Sequence, residues 1–223
     1  MAAKDNTVMP IISKMYCSSS QAVLVVRRRP HVISGGGFVV TDCSQKVAFK
    51  VDGCGILGKK DEMILRDSDG DALLLFRRKG ATVEALSIYR RWRGYSLDYE
   101  GSQDQMVFCL KEPNSCLART QAIRISTKAT KNKDWDFEIK GNFPDKDCCI
   151  VDSKGKTMAQ IGVKKELMAS EDLYHVVVTP GTDQAFVIGI KMICDSAADE
   201  SSTFCILEAA NPLIFIFHGL FDG

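Results

Sequence analysis

The longest apolar run in the chain, TDQAFVIGIKMICD from Thr182 to Asp195, most limits what this sequence can fold into. It is longer than a usual strand of about 5 or 6 residues, and Thr182 and Asp183 follow Pro180-Gly181 in positions that can cap a helix. Its apolar side chains would cover most of a helix's circumference, which predicts a helix surrounded by protein over about 183–195. The predicted core residues of this helix are Phe186, Val187, Ile190 and Ile193.

Lys191 is the one charged residue within the apolar part of this helix. An unpaired buried ammonium group is costly, so Lys191 needs a partner or a route to water. It can reach Asp195 one turn further on, or extend its stem along apolar surface to the end of the surrounding structure. Both alternatives are compatible with a helix enclosed by strands.

The rest of the chain has the pattern of short strands joined by tight turns. In WDFEIK, Trp135, Phe137 and Ile139 alternate with charged residues, which is typical of a half-buried strand. Asp69-Gly70 lies between two apolar runs and can form a two-residue hairpin turn. The predicted strands are residues 21–27, 37–41, 46–51, 63–66, 72–76, 95–99, 105–110, 117–126, 135–140, 148–152, 157–163 and 174–179. Their spacing predicts one mainly β domain, a sandwich or a barrel.

Composition excludes several function classes. The 223 residues carry a formal net charge of +1, so overall charge gives no attraction to nucleic acid or membrane. The N-terminus lacks the pattern of a secretory signal, and no run approaches the roughly 20 apolar residues of a spanning helix. Nine cysteines, an odd number without a CxxC pair, favour small buried side chains over disulfides or zinc. We therefore expect an intracellular protein that is not secreted.

No motif in the sequence specifies a reaction. GCGILGKK, residues 53–60, resembles a phosphate-binding loop but has Lys60 where serine or threonine is needed, so a turn is the better interpretation. Asp67, Asp69 and Asp71 alternate as in a calcium loop, but Ala72 takes the position of the required glycine. There is no GxSxG sequence. We expect no enzyme activity, no cofactor and no metal.

Basic clusters are the more informative feature. They fall at predicted strand ends, where several could converge on one rim of a barrel. Arginine binds phosphate groups well, and a basic cluster beside an anionic membrane gains on the order of 1 kcal/mol per charge. The alternative is that they are ordinary solubilising charges balanced by nearby acidic residues. The candidate anion-binding residues are Arg27, Arg28, Arg29, Arg77, Arg78, Arg90, Arg91 and Arg93.

The order of several segments resembles the LURP-one-related proteins of plants. These segments are GFVVTDCSQKVAFKV, DEMILRDSDGDALLLFRRK, RRWRGYSL, DWDFEIKGNF and TDQAFVIGIKMICD. This family belongs to the tubby C-terminal-like superfamily, which includes phospholipid scramblases. The resemblance implies a closed antiparallel barrel of twelve strands around a central hydrophobic helix, covering residues 8–197. Gly189 departs from the usual central helix, and glycine there costs about 1 kcal/mol relative to alanine.

The resemblance also implies a function. Tubby domains bind phosphoinositides, so we expect a non-enzymatic binding or membrane-tethering module, and for some family members a part in plant defence. The alternative is a protein-binding scaffold without lipid affinity. The expected protein is a monomer that does not bind nucleic acid and is cytoplasmic, peripheral at the plasma membrane, or nuclear. Residues 198–223 form an atypical apolar tail, interpreted equally as an extra strand or an adhesive terminus.

The enclosed helix can be tested with Ile190→Asp. This variant buries an unpaired carboxylate, so we expect it to abolish soluble expression or cooperative unfolding. Thermal unfolding of the purified variant is the measurement. A midpoint close to that of the wild type would contradict an enclosed helix.

Overall fold

The computed structural model describes residues 10–29, 36–53, 62–78, 89–97, 103–113, 122–127, 135–142, 147–162 and 173–195. They form twelve strands, a short 3-10 helix at Lys14–Tyr16 and one helix, α1, at residues 184–195. The strands are β1 (Ala22–Arg28), β2 (Gly37–Thr41), β3 (Val47–Gly53), β4 (Glu62–Asp67), β5 (Ala72–Arg78), β6 (Tyr89–Leu97), β7 (Gln103–Pro113), β8 (Ile123–Thr127), β9 (Phe137–Asn142), β10 (Asp147–Asp152), β11 (Thr157–Gly162) and β12 (Leu173–Val178).

The strands close into an antiparallel barrel in which each strand pairs with its neighbours in sequence. The closing contact is β1 with β12, where Ala22 lies opposite Val178 and Arg27 lies opposite Leu173. Closure removes the free strand edges that an open sheet would leave unpaired. The predicted mainly β fold with a closed barrel and a C-terminal helix is confirmed.

Most strands lie within three residues of their predicted bounds at each end, and β6 and β8 differ by more. The prediction at 95–99 missed most of β6, because Arg90, Arg91 and Arg93 leave too few apolar residues in its first half for a visible alternation. The register of β6 with β7 also shifts after Gly94, which breaks a strict period of two. β8 covers only Ile123–Thr127 of the predicted 117–126, and residues 117–121 lie outside the described part.

Helix α1 lies inside the barrel and supplies its core. Apart from Gly189, every residue from Ala185 to Cys194 is at most 3% exposed, a range that includes Val187, Ile190 and Ile193. Phe186 packs on Phe108 and Phe137, with ring centroids 5.5 and 5.1 Å apart. An eight-stranded barrel can be filled by its own side chains, but a wider one needs additional contents. The helix provides them here.

The helix begins at the end of the barrel that is closed by residues 10–21. Asp183 caps it by accepting a hydrogen bond from the backbone N–H of Phe186, and its second oxygen accepts from the backbone N–H groups of Ile12 and Ser13. Tyr16 packs on the ring of Phe49 at 5.5 Å. One carboxylate therefore both starts the helix and holds the N-terminal segment across this end.

Lys191 ends in a buried polar cluster near the end of α1. Its ammonium group contacts Asp195, as one of the two sequence alternatives proposed, and lies 4.6 Å from the ring centre of Tyr174. The Tyr174 hydroxyl donates a hydrogen bond to the other oxygen of Asp195. Burial, and then the adjacent carboxylate, raise the pKa of Tyr174 well above its ordinary value, so the hydroxyl keeps the proton that it donates.

Gly189 has a packing function that its sequence position alone does not reveal. A Cβ atom at this position would lie 2.8 Å from Cζ and 3.0 Å from Cε1 of Phe76, and 3.5 Å from Cδ1 of Leu74. Phe76 is fully buried and packs against Phe108, with ring centroids 6.2 Å apart. The missing side chain lets the barrel wall approach the helix closely, so Gly189 fits this packing, whatever it costs in helix propensity.

We expect Gly189→Ala to destabilise the protein. Helix propensity alone would stabilise the variant by about 1 kcal/mol, but forcing a methyl group into a packed core costs typically about 1–3 kcal/mol. Chemical denaturation measures the change. The double variant with Phe76→Leu is the control, because the smaller, flexible side chain should make the alanine less harmful. A more stable Gly189→Ala single variant would contradict this packing argument.

Candidate functional site

The strand topology brings the predicted arginine clusters to one rim of the barrel. Arg27 and Arg28 end β1, Arg77 and Arg78 end β5, and β6 begins beside them with Trp92 opposite Arg78. Helix α1 ends at the same rim, since Asp195 bonds to Tyr174 near the start of β12. We call it the arginine rim.

The opposite rim has a different chemistry. Among the described residues, three tight hairpin turns at this rim are each held by an aspartate that accepts backbone N–H hydrogen bonds, namely Asp42, Asp67 and Asp152. In the β4–β5 turn only Gly70 has a positive φ, +97°, so Asp69 does not take the positive φ that a two-residue Asp-Gly hairpin turn requires. The alternating aspartates around Gly70 are therefore explained by a turn, as proposed from the sequence.

Strand alternation places the rim arginines on different surfaces. Arg28 and Arg78 share the inward side with buried Val26 and Phe76, and both make contacts within the protein. Arg27, Arg77, Arg91 and Arg93 face outward. For Arg90 the structure describes the backbone in β6 and not the side chain.

Two rows of cations cross the outer surface at β5–β8. In one row Arg77 lies directly opposite Arg93, and in the other Arg91 lies opposite Lys111, which lies opposite Arg124. We call these five residues the basic face. Like charges directly opposite each other destabilise a sheet, so this arrangement carries a cost in stability.

Each row ends at a glutamate. Glu62 binds Arg77 at 2.8 Å, whereas Glu138 lies 4.0 Å from Arg124 and 3.7 Å from Lys140. The Arg124 guanidinium also stacks over the Trp135 ring at 5.9 Å. In the described part of the chain, Arg93 and Lys111 have no ion pair, so the centre of the basic face is the least neutralised region.

The predicted cluster Arg27–Arg29 belongs to another part of the barrel, because β2, β3 and β4 separate β1 from β5. Arg29 donates hydrogen bonds to the Val51 carbonyl and to Asp52, and Arg66 binds the second Asp52 oxygen. Partial burial would raise the pKa of Asp52, but the hydrogen bonds and charges of Arg66 and Arg29 outweigh it and lower that pKa. Arg29 thus has a structural role directly after the end of β1.

Sequence reasoning missed Lys111 and Arg124. Each is a single cation without a basic neighbour in its strand, so neither forms a visible cluster. Only the pairing of β6 with β7 and of β7 with β8 brings them beside Arg91. The alternation IRIS, with Arg124 between buried Ile123 and Ile125, was an available signal that its side chain faces outward.

A groove of about 610 Å³ lies over β9–β12, on the outer surface. Its polar lining includes Lys140, Asp147, Cys149, Gln160 and His175. Gly162 lies opposite His175, and a Cβ on Gly162 would meet nothing within 4 Å, so the floor between these strands is open. The Nδ1 atom of His175 is buried without a hydrogen-bond partner among the described residues.

The described cysteines are free thiols. Cys148 is buried and its neighbour Cys149 is only partly so, as strand alternation predicts. Burial raises the pKa of Cys148 to about 11 and raises that of Cys194 well above its ordinary value. Both therefore stay protonated at neutral pH, which suits packing and not nucleophilic attack.

Within the described ranges, no three histidine, cysteine, aspartate or glutamate side chains are placed to hold a metal ion. The helices in these ranges include none that is both long and apolar enough to cross a membrane. Residues 54–60 of the loop GCGILGKK and all of the tail 198–223 lie outside the described part.

Fold and surface together define a closed β-barrel protein built around an apolar helix, with a group of cations on the outer surface of β5–β8. The chain matches the model of the LURP-one-related family over residues 22–195, and it belongs to that family. It is 52% identical over 194 residues to Protein LURP-one-related 6 of Arabidopsis thaliana, covering 86% of this chain and 98% of the relative. The family is not a known enzyme family.

Two other relatives agree with this assignment. Protein LURP-one-related 16 of Arabidopsis thaliana is 43% identical over 215 residues, covering 92% of this chain and 99% of the relative. An X-ray structure of another Arabidopsis thaliana protein superimposes with a TM-score of 0.64 at 22% identity, covering 86% of this chain and 99% of that one. At this identity the superposition shows the shared fold.

Proposed function

We propose that this chain is a non-enzymatic module that attaches reversibly to phosphoinositide-bearing membrane surfaces through the basic face. The observation that carries the proposal is the pair of like-charged rows, Arg77–Arg93 and Arg91–Lys111–Arg124. Ordinary solubilising charges are expected to alternate in sign across neighbouring strands, since that arrangement stabilises a sheet. Rows of one sign suit the binding of an anion.

The chemistry of the basic face fits phosphate groups. Four of its five cations are arginines, whose planar guanidinium groups bind phosphate oxygens with two parallel hydrogen bonds. Each cation near an anionic leaflet contributes on the order of 1 kcal/mol, so a few aligned charges give useful but reversible binding. Such binding weakens with salt because the charges are exposed.

The basic face also suits binding to a surface because its backbone is fixed. Its residues lie on four consecutive strands of a closed barrel, and beneath them Trp92, Leu110 and Ile125 face the core. Groups on rigid elements lose less freedom on binding than groups on loops. Plant defence signalling at the plasma membrane or in the nucleus is our proposed setting, supported by family membership alone.

Co-sedimentation with vesicles tests membrane attachment. We expect binding that requires phosphoinositide at matched total lipid charge and weakens along a salt series. Replacing Arg93 and Lys111 with glutamine should cost about 2 kcal/mol of binding. The control replaces Lys154 and Lys156, exposed in a turn at the opposite rim, and should bind like the wild type. An equal loss of vesicle affinity in both double variants would contradict the proposal, and so would the absence of vesicle binding at low salt.

The groove over β9–β12 favours a second candidate function, a protein-binding scaffold. Its unpartnered His175 nitrogen and the neighbouring apolar pair Val177 and Val23, of which Val23 is 39% exposed, could contact another protein. If this is the function, the wild-type protein should not bind vesicles. It should co-purify with a defined protein partner, and the Val177→Arg variant should no longer bind that partner. Retention of the same partner by Val177→Arg would argue against the groove.

A further inference from the structure

We infer that the groove over β9–β12 binds a small peptide disulfide of the glutathione class, and that Cys149 captures half of it as a reversible mixed disulfide. The inference names a modification site and the chemical class of its ligand. It concerns the outer surface of β9–β12 and not the basic face, so it holds whether or not the chain attaches to membranes.

The polar side chains of the groove are not used to hold the fold. In the part of the chain that the structure describes, four of them make no hydrogen bond or ion pair, namely those of Asp147, Cys149, Gln160 and His175. Asp152, at the other end of β10, instead accepts two backbone N–H hydrogen bonds. A groove of about 610 Å³ with a few unengaged polar groups is typical of a small-molecule site.

The pairing register places Cys149 in a row of outward-facing side chains. Lys140 lies directly opposite Cys149 on one side and Gln160 lies opposite it on the other. Val177, opposite Gln160, is next in the row. Neighbouring strands lie about 4.8 Å apart, so the row across β9–β12 spans about 14 Å. An extended tripeptide spans about 10 Å, so it fits along the row with its middle residue beside Cys149.

The charges along the groove suit a peptide that carries both signs. Lys140 is 58% exposed and lies 3.7 Å from Glu138, so its ammonium group keeps donors for a carboxylate of the ligand. Asp147 is exposed two residues before Cys149 and can bind an ammonium group. Glutathione has a carboxylate at each end, an ammonium group at one end and its cysteine in the middle. The groove therefore matches a peptide thiol better than a simple anion.

The thiols of the chain differ in their access to this ligand. Cys149 faces outward between buried Cys148 and Ile150. Cys148 stays protonated because burial raises the pKa of its thiol, and only a thiolate attacks a disulfide. Cys43 is more exposed and lies in the turn between β2 and β3, at the opposite rim. Exposure alone thus favours reaction at Cys43, whereas recognition by the groove favours Cys149.

The proposed step is thiol–disulfide exchange. The Cys149 thiolate attacks one sulfur of the peptide disulfide, the peptide S–S bond breaks, and a new S–S bond forms to Cys149. The second peptide leaves as a thiolate and takes up the proton that Cys149 lost. The sulfur of Cys149 is oxidised and the departing sulfur is reduced, so the peptide disulfide is the oxidant. An excess of free peptide thiol reverses the exchange.

Site-resolved mass spectrometry of the full chain tests the inference with two reagents. Glutathione disulfide carries the charged peptide groups, and bis(2-hydroxyethyl) disulfide undergoes the same exchange without them. The rate at Cys149 is divided by the rate at Cys43 for each reagent, which removes the intrinsic reactivity of each thiol from the comparison. We expect this ratio to be at least about fivefold higher with glutathione disulfide.

Lys140→Gln removes the proposed carboxylate partner. It should lower the ratio with glutathione disulfide to that with the neutral reagent and leave the ratio for the neutral reagent unchanged. The matched control is Lys154→Gln, which removes an exposed cation in the turn after β10, at the opposite rim, and should keep both wild-type ratios.

Gly162→Leu tests the groove itself. A Cβ at Gly162 would meet nothing within 4 Å, and this glycine does not have a positive φ, so the fold can accept a side chain there. The leucine should fill part of the groove and slow transfer from glutathione disulfide to Cys149, while Cys43 reacts as in the wild type. Thermal unfolding checks that each variant is folded.

Cys149→Ser should abolish the adduct on the peptide that contains Cys148 and Cys149. An adduct that survives in this variant would identify Cys148 as the reacting thiol and overturn the inference. Equal ratios with the two reagents would also overturn it, because exposure would then explain the reaction. A preference that persists in Lys140→Gln would overturn the role of Lys140. None of these readouts involves vesicles, so failure here leaves membrane attachment untouched.

Discussion

Enclosure of the apolar helix α1 by the twelve strands is the interaction on which the rest of the structure depends. A helix with apolar side chains around its whole circumference is stable in water only when protein surrounds it, and a barrel of this width needs such contents. The barrel therefore shields the apolar helix from water, and the helix fills the interior of the barrel. Gly189 shows how close the fit is, because a single methyl group there would overlap the ring of Phe76.

Because α1 runs along the barrel, its two ends make different interactions at the two rims. The start of the helix is fixed through Asp183 to residues 10–21, and the nearby turns are held by aspartates. Near its end, beside the arginine rim, Lys191, Asp195 and Tyr174 form a buried cluster. In this cluster Lys191 pairs with Asp195, and Tyr174 donates a hydrogen bond to Asp195. The rim with the aspartate-held turns therefore contributes to closure, and the arginine rim carries the clustered cations.

Local alternation was sufficient to predict most of the strands, and the length of the run at Thr182–Asp195 was sufficient to predict the helix. Pairing register was not predictable, because it depends on contacts between residues distant in sequence. Lys111 and Arg124 become part of one surface only through that register. The same limit explains Gly189, whose packing partner Phe76 lies 113 positions earlier in the chain, and Arg29, whose partner Asp52 lies on another strand.

The net charge of the chain does not show how its charges are distributed over the surface. A formal net charge of +1 is compatible with evenly mixed surface charges, yet the structure separates aspartate-held turns at one rim from rows of cations near the other. Like-charged neighbours reduce the stability of the sheet, and a well-packed core can absorb that cost. The enclosed helix supplies such a core directly beneath β5–β8. A rigid, well-packed barrel can therefore keep rows of like charge on its outer surface despite their cost in stability.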